Sequence, residues 1–520
     1  MCRVLTRRQK VFLILLLALL VRLWGINAPY LDVHWIKQLQ VAAIAKNFYL
    51  HGYHLLSPEV DWTADQPNYL DPEFPLVAFL AALLYPVFGV HEWIGRLVAM
   101  GFGLGMLLVA YHLLRLHLGD RAALYGLLFL TFTPSSWYYS RAFMSEPAML
   151  FFSVLAVYCF SRWIGLRSPG QELGPDTPGG SPWFFLGALG AAALAFMVKP
   201  PAVLILLPLA YLAYARWGWG LLGRLAPWAF VILSLTPAAL YYHHMAEIGR
   251  QYLTVGAGFE GGMWATRTSL LNPGAWSLIM MRLLRDHLTA IGVALLPLGL
   301  FLRPASRRSS CLFPVWLAAV AIYFLVVWGG NLRQTYYQLP LLLPAAGLLG
   351  LAWDRLLGSG VLNRAGNAAL LVVFLVLCAW GVQPFFEQYT PVLTAAEELK
   401  RLDPSPAPVI VFPPGYNCLY YFDRPGWVGR EGMNRAPDEV PPEDVPGPLY
   451  LTSRISRGAR WAVYFSDPRA GGQRPDLQNL LKTTYLCAMA GPGFEIFDLS
   501  KPATRPPLEY GHHTEDATTL

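Results

Sequence analysis

The sequence predicts a polytopic α-helical membrane protein with a small C-terminal α/β domain. Of its 520 residues, 55% are hydrophobic and 14% charged, whereas a soluble chain carries about 25% charged residues. The apolar residues also fall into runs of the length, roughly 20 residues, over which a helix pairs its own backbone across a bilayer. About 11 to 13 transmembrane helices can be drawn from them. Beyond residue 382 the chain turns Pro-rich and charged, with short alternating runs. This profile excludes a cytosolic enzyme, a disordered regulator and a disulfide-stapled secreted domain. The formal charge of +7 is spread in short Lys/Arg clusters between apolar runs, which marks topology and not a nucleic-acid-binding face. Cys2, Cys159, Cys311, Cys378, Cys418 and Cys487 show no CxxC or Cys/His ligand spacing, so they form no metal or redox motif.

The first run, residues 11–26, follows Arg7, Arg8 and Lys10. Such a basic flank stays on the cytoplasmic side, so this segment leads outward. No small-residue cleavage site follows, and it is kept as an anchor. The polar and aromatic stretch 30–92 then lies outside. Within it, 74–90 is apolar enough to span, but a crossing there would put Arg115, Arg121 and the later basic loops on the wrong face; it is read as an interfacial helix. Spans near 93–115, 121–139, 147–163, 183–198, 201–215, 221–242, 288–302, 311–328, 336–353 and 366–382 then alternate. Arg115/Arg121, Arg162/Arg167, Arg216/Arg224, Arg303/Arg307/Arg308 and Arg355/Arg364 all fall inside. The loop 168–182, rich in Gly and Pro, reads as a flexible cytoplasmic linker.

The odd number of crossings sends the tail outside. Its runs APVIVF and RWAVYF read as strands, and TAAEELKRL before the first reads as a helix. The expected organisation is a membrane domain over 1–382, an outer α/β domain over 383–500 and a loose polar end over 501–520. The membrane is a cell's inner (plasma) membrane, with the N-terminus cytoplasmic. No inverted repeat of the transporter kind is visible.

Two acidic motifs meet the outer surface on this topology. Asp32 stands in NAPYLDVHW, just past the first span, and Glu146 in YYSRAFMSEP, just past the third. Ionised groups at a bilayer are costly and tend to mark function. Each also has a plain structural reading: Asp32 as the cap of a helix starting near Val33, Glu146 as the cap of one starting at Pro147.

The chain resembles the polytopic glycosyltransferases of the GT-C class, specifically the protein mannosyltransferase and aminoarabinose transferase superfamily, family 39-like. The resemblance is carried by RLWGINAPYLDVHW, DPEFPLVAFLAALLYPVFGVHEWIGRL, YYSRAFMSEPAMLFF, FMVKPPAVLILLP and RQTYYQLPLLLPAAGLLG, in the family's order over about 22–350, with LYYFDRPGWV similar to the outer domain of bacterial members. Two departures stand out. The family often has an Asp-Glu pair where this chain has Asp32-Val33, and commonly Asp where Glu146 stands.

The resemblance implies a GT-C fold and a sugar donor on a polyprenyl phosphate. The sugar would pass to a glycolipid, polysaccharide or protein acceptor at the outer face, with inversion if attack is a single displacement. Phosphate is then the leaving group, and the site must stabilise its growing charge while a base takes the acceptor's proton. Asp32 is the expected base. Glu146 would orient the acceptor or share a divalent metal, Mg²⁺ or Mn²⁺, with Asp32. For the phosphate, Lys199 in the MVKPP break is the first candidate, with snorkelling to lipid headgroups as its alternative. Arg333 in GGNLRQTYYQLP is the second. Tyr336 and Tyr337 beside it could donate hydrogen bonds, or belong to the aromatic belt. Arg141, five residues before Glu146, could pair with it or with phosphate. Glu73 is a secondary candidate, because DPEFPL aligns with a stretch near the donor. Asp61 and Asp65 are expected to be solvated, and Asp71 shares their loop. His34, His51, His54, His91, His243 and His244 match no metal spacing. The competing reading is a transporter or flippase of lipid-linked sugar, which calls for charges deep within spans.

Overall fold

The computed structural model describes residues 6–64, 68–69, 73–168, 171, 173–174, 176–251, 263–302, 311–361, 363–412, 418–428, 443, 445–466 and 474–503. Asp65, Asp71, Arg303, Arg307, Arg308, Cys2 and most of the 501–520 tail lie outside them. The chain divides into two compact units. One comprises Met1–Ala28, His91–Tyr242 and Phe259–Phe386; the other comprises Pro29–Val90, His243–Gly258 and Glu387–Leu520. The stretch 30–92 is thus grouped almost whole with the C-terminal region.

The first unit is helical. Each of the eleven expected spans contains a helix, from Arg7–Leu23 to Arg364–Val382. Among the described residues, five helices are long and apolar enough to cross a membrane: Glu92–Leu118, Pro200–Gly223, Leu225–Arg250, Thr335–Gly358 and Arg364–Leu402. Pro273–His287 and Thr289–Phe301 make a sixth if counted as one broken span, bent by 103°. Pro182–Val198 and Leu312–Val326 are apolar but shorter. Large apolar side chains point outward: Leu225 is 81% and Phe301 85% exposed. That exposure is stable only where lipid replaces water.

Proline sets several breaks. The expected span 121–139 is two helices, Asp120–Phe132 and Pro134–Tyr139, because Pro134 supplies no N–H to the ladder and starts a new helix. Small residues set the closest packing. A Cβ added to Gly126 would lie 2.7 Å from the Ala346 carbonyl oxygen, so Asp120–Phe132 and Leu342–Gly358 touch backbone to backbone. At one end of this unit Arg7 meets Asp120 at 2.8 Å, Arg115 meets it at 2.7 Å, and Arg121 meets Asp354 at 2.8 Å. The N-terminus and two of the basic loops therefore share an end. The loop 168–182 is tied down rather than flexible in its described part: Gly180 N–H donates to the Trp163 carbonyl at 2.8 Å, Arg216 donates to the Gly174 carbonyl at 2.5 Å, and Leu173 is buried.

The second unit is built on a five-stranded sheet: β1 (Val409–Phe412), β2 (Gly426–Val428), β3 (Trp461–Phe465), β4 (Tyr485–Gly491) and β5 (Phe494–Pro502), in the order β2-β1-β3-β5-β4. The β1 strand runs parallel to both β2 and β3, whereas β5 is antiparallel to β3 and β4. The expected strands APVIVF and RWAVYF are β1 and β3. They are buried along their whole length, as parallel strands covered by helices must be. Pro391–Leu402, Pro448–Ser456 and Pro475–Thr484 accompany the sheet. The interfacial helix expected over 74–90 is two short helices, Leu76–Ala82 and Tyr85–Phe88.

Among the described residues no disulfide joins Cys159, Cys311, Cys378, Cys418 or Cys487. Burial pushes the Cys418 thiol far up, and the Cys487 thiol to about 11. Asp403 connects β3 to the helix before β1. Its carboxylate accepts from the Ser405 N–H at 3.0 Å and the Trp461 indole at 2.7 Å, with Arg460 at 3.3 Å. The Ser405 hydrogen bond, aided by Trp461 and Arg460, holds the carboxyl down at about 2.

Two predictions follow from this chemistry. Asp403 lies below its ordinary value in the folded chain, so its contribution is complete above the unfolded value near 4 and disappears as the pH falls through about 2. Asp403→Asn should cost about 1–3 kcal/mol at neutral pH and flatten the acid loss of hydrogen-exchange protection in β1 and β3. Thiol labelling of the folded protein should modify exposed Cys311 and spare Cys378 and Cys418 until unfolding, as read by peptide mass spectrometry.

Candidate functional site

The first unit builds its polar centre from breaks in its helices. Glu146 opens the helix Glu146–Trp163, one residue before Pro147. The segment leading to it is pinned by Arg22, whose fully buried guanidinium donates to Ser140 Oγ, to the Thr131 carbonyl at 2.9 Å and to the Ala18 carbonyl at 3.1 Å. Lys199 sits in extended backbone, φ −159° and ψ 122°, between the helix Pro182–Val198 and the 3₁₀ turn Pro200–Ile205. Two consecutive prolines force that break: the residue before a proline is driven out of the helical region. Tyr242 Oη donates to the Met197 carbonyl at 2.7 Å, capping the helix end beside Lys199.

The break aims Lys199 at Glu146. Lys199 Nζ donates to Glu146 Oε1; the two side chains are 4% and 0% exposed. Glu146 Oε2 is buried with no hydrogen-bond partner among the described residues. The ammonium also lies over the Tyr336 ring, 4.8 Å from its centroid, and 5.8 Å from that of Tyr337; the two rings stack at 5.1 Å. Lys199, Glu146, Tyr336 and Tyr337 therefore converge. An ammonium in such a cage is not snorkelling to headgroups, since its charge is met inside the protein by carboxylate and aromatic faces.

Arg141 is fully buried, donates to the Gly25 carbonyl at 2.8 Å and lies 4.9 Å over the Phe386 ring. Arg333 is exposed at the last turn of Trp328–Arg333. The last carbonyls of that short helix are occupied: Arg282 donates to Asn331 and Leu332 at 2.7 and 3.0 Å, and Gln338 donates to Asn331 at 2.9 Å.

Sequence reasoning passed over this supporting group. Tyr139 is buried within electrostatic range of Glu146, Tyr336, Asp286 and Arg282. Arg285 pairs with Asp286 at 2.7 Å, and fully buried His287 meets Ser135 Oγ through Nδ1 at 2.9 Å. Arg285, Asp286 and His287 sit at the bend between Pro273–His287 and Thr289–Phe301, where Thr289 has φ +62°. A β-branched residue there is a true outlier of the kind found at functional sites. The run RLLRDH, four ionisable residues directly before an apolar span, was the available signal.

The second unit holds Asp32. It is 2% exposed, and Gln38 Nε2 donates to its Oδ1. It does not cap a helix from Val33: the helix is Trp35–His51, with His34 at its N-cap in the left-handed region. Glu146 likewise lies inside its helix, with Ser145 before it. Glu73 pairs with Lys37 at 3.1 Å. Asp61, expected to be solvated, accepts from Asn47 at 3.1 Å, and burial raises its carboxyl. His244 Nε2 meets the Leu56 carbonyl at 3.0 Å, and His51 meets Glu59 at 3.4 Å. Among the described residues no group of three or more His, Cys, Asp and Glu side chains is arranged to hold a metal.

Three comparisons bear on this arrangement. The family profile described as Dolichyl-phosphate-mannose-protein mannosyltransferase matches residues 65–242, a stretch containing Glu146 and Lys199. An uncharacterized protein of Aquifex aeolicus (strain VF5) is 29% identical over 128 residues, 25% of this chain and 31% of that protein; the match thus spans under a third of the relative's length. Among solved structures, ArnT from Cupriavidus metallidurans superimposes with a TM-score of 0.65 at 15% identity in the apo state, covering 95% of this chain and 99% of ArnT. ArnT bound to undecaprenyl phosphate gives the same TM-score and coverage at 16% identity. The Archaeoglobus fulgidus oligosaccharyltransferase tethered to an acceptor peptide gives 0.54 at 12%, covering 92% of this chain and 72% of that one. The fold is the GT-C fold of membrane glycosyltransferases, as the sequence resemblance implied.

The buried pair generates its own prediction. Removing one partner leaves an uncompensated charge, so Lys199→Met should destabilise the protein by about 3–5 kcal/mol. Adding Glu146→Gln should recover part of that loss, measured by thermal unfolding in nanodiscs.

Proposed function

We propose that this chain is an integral-membrane glycosyltransferase that moves a sugar from a polyprenyl-phosphate donor to a glycolipid, polysaccharide or protein acceptor at the outer face of the plasma membrane. The observation that carries the reading is the buried Lys199–Glu146 pair under Tyr336 and Tyr337, set in a fold shared from end to end with ArnT, whose structure has been solved with undecaprenyl phosphate. In this reading residues 1–382 form the membrane catalytic domain and 383–500 the outer domain, with the N-terminus inside.

Lys199 has three N–H donors and no acceptor. Paired with Glu146, its ammonium is the cation that meets the phosphate, and Arg333 on the exposed helix end adds a second. Tyr336 and Tyr337 supply hydroxyl donors. These groups bind the phosphate more tightly as the glycosidic bond breaks and its charge grows, which is the differential binding that lowers a barrier. Asp32 takes the proton from the acceptor hydroxyl or amine. The acceptor atom forms the new bond to the anomeric carbon, and the electron pair of the old C–O bond leaves with the polyprenyl phosphate. One displacement inverts the anomeric centre. Arg141, whose guanidinium donates to the Gly25 carbonyl, is a further cation for the phosphate. Glu73, paired with Lys37, is a secondary residue of the outer loop. No step is assigned to a metal ion.

The test uses full-length protein in nanodiscs, given the polyprenyl-phosphate-sugar fraction and the acceptor extract of its own envelope. Wild type should release free polyprenyl phosphate, and Asp32→Asn should lower the rate about a hundredfold or more, the usual scale of general-base catalysis. Transfer of intact donor across vesicles, with no release in either protein, would replace the enzyme by a flippase.

A further inference from the structure

The second unit contains a set of contacts that the reaction scheme leaves unused, all converging on the backbone around Asp32. His34, two residues on, is held at φ +62° and ψ 29°. A non-glycine side chain in the left-handed region is strained, so the turn persists only if its surroundings hold it. The turn itself contributes Trp35 N–H to the Asp32 carbonyl at 2.9 Å. Every further contact named below comes from residues beyond 388.

Tyr30 N–H donates to Tyr421 Oη at 2.8 Å. Tyr389 N–H donates to the Leu31 carbonyl at 2.6 Å. The Trp35 ring stacks on Tyr389, with centroids 5.2 Å apart and planes within 18°. Tyr30 packs against Tyr420 at 6.3 Å. Farther along the same segment, Lys46 pairs with Asp423 at 2.6 Å and lies over the Tyr420 ring, while Trp62 accepts from Val428 N–H at 3.0 Å. Residues 30, 31 and 35 bracket Asp32, and each is gripped by the C-terminal domain. Tyr421 grips the Tyr30 amide through its side-chain hydroxyl, which can be removed without changing the ring or the backbone.

We infer that the C-terminal domain is a positioning element for the acidic loop, and that Tyr421, through its hydroxyl on the Tyr30 amide, sets the placement of Asp32. The inference rests on the reading of Asp32 as the base. Tyr421 is a positioning residue: it acts through the loop and not on the substrate. Placement matters because a misaligned base loses rate while the donor still binds.

The experiment compares wild type, Tyr421→Phe, Asp32→Asn and the double variant in the nanodisc assay above. Tyr421→Phe keeps the ring and removes one neutral hydrogen bond. It should lower kcat about tenfold, the kinetic equivalent of such a bond, leave the KM for donor unchanged, and have no further effect in the Asp32→Asn background. Hydrogen exchange should quicken at the Tyr30 and Trp35 amides while β1 and β3 stay protected. Full activity in Tyr421→Phe, or a penalty that adds in full to that of Asp32→Asn, overturns the inference. So does loss of protection across β1 and β3, which would make Tyr421 a stability residue only. If Asp32→Asn is itself fully active, the base assignment fails instead, and the local exchange change still decides whether Tyr421 holds the loop.

Discussion

An ammonium and a carboxylate removed from water together constrain the membrane unit more than any other contact. Lys199 and Glu146 are almost wholly buried, and desolvating two ions costs several kcal/mol each unless their mutual attraction and further polar contacts compensate. The surrounding architecture supplies that compensation. A double-proline break frees the Lys199 backbone from its helix, Tyr242 closes the helix end, the stacked Tyr336 and Tyr337 rings face the ammonium, and Arg22 fixes the segment leading into Glu146. Remove the break and the lysine would be carried round the helix toward lipid.

A fixed cation within an apolar hairpin is a suitable partner for a leaving group that gains charge as its bond breaks. The bend at Thr289, with Arg282, Arg285, Asp286 and His287 around it, extends the same polar region along a broken span. Irregular backbone at membrane depth is tolerated where it is buried in protein or lines a cavity.

The second unit solves a different problem. An acidic residue on a short turn has few local contacts to define it, and the His34 backbone is strained besides. The sheet and its helices provide a rigid frame, and the aromatic residues at 389, 420 and 421 carry that rigidity to the turn. What reads along the chain as a separate appended domain is, in its contacts, continuous with residues 29–90.

Much of this was legible in the residues. The charge deficit and apolar runs identified a many-pass membrane chain, and the proline pair around Lys199 and the acids at Asp32 and Glu146 marked the segments that matter. The helix of TAAEELKRL and strands β1 and β3 could be read from their local patterns. Other features could not. Asp61 looked solvated because nothing nearby in sequence reveals Asn47 turned toward it; the 168–182 loop looked loose because its anchors, Trp163 and Arg216, flank it from neighbouring helices. RLLRDH was visible but ambiguous, since charges before an apolar run usually mean only a span end.

Hydropathy, periodicity and proline placement act over a few turns of chain, and they alone determined the class of protein, its helices and the positions of its acidic motifs. Tertiary structure decided the pairings: Lys199 with Glu146 across 53 positions, and Tyr421 with Tyr30 across 391. The cost of burying a charge or a backbone amide is local, but the partner that relieves it is delivered only by the closing of the fold, and no pattern within either segment names that partner.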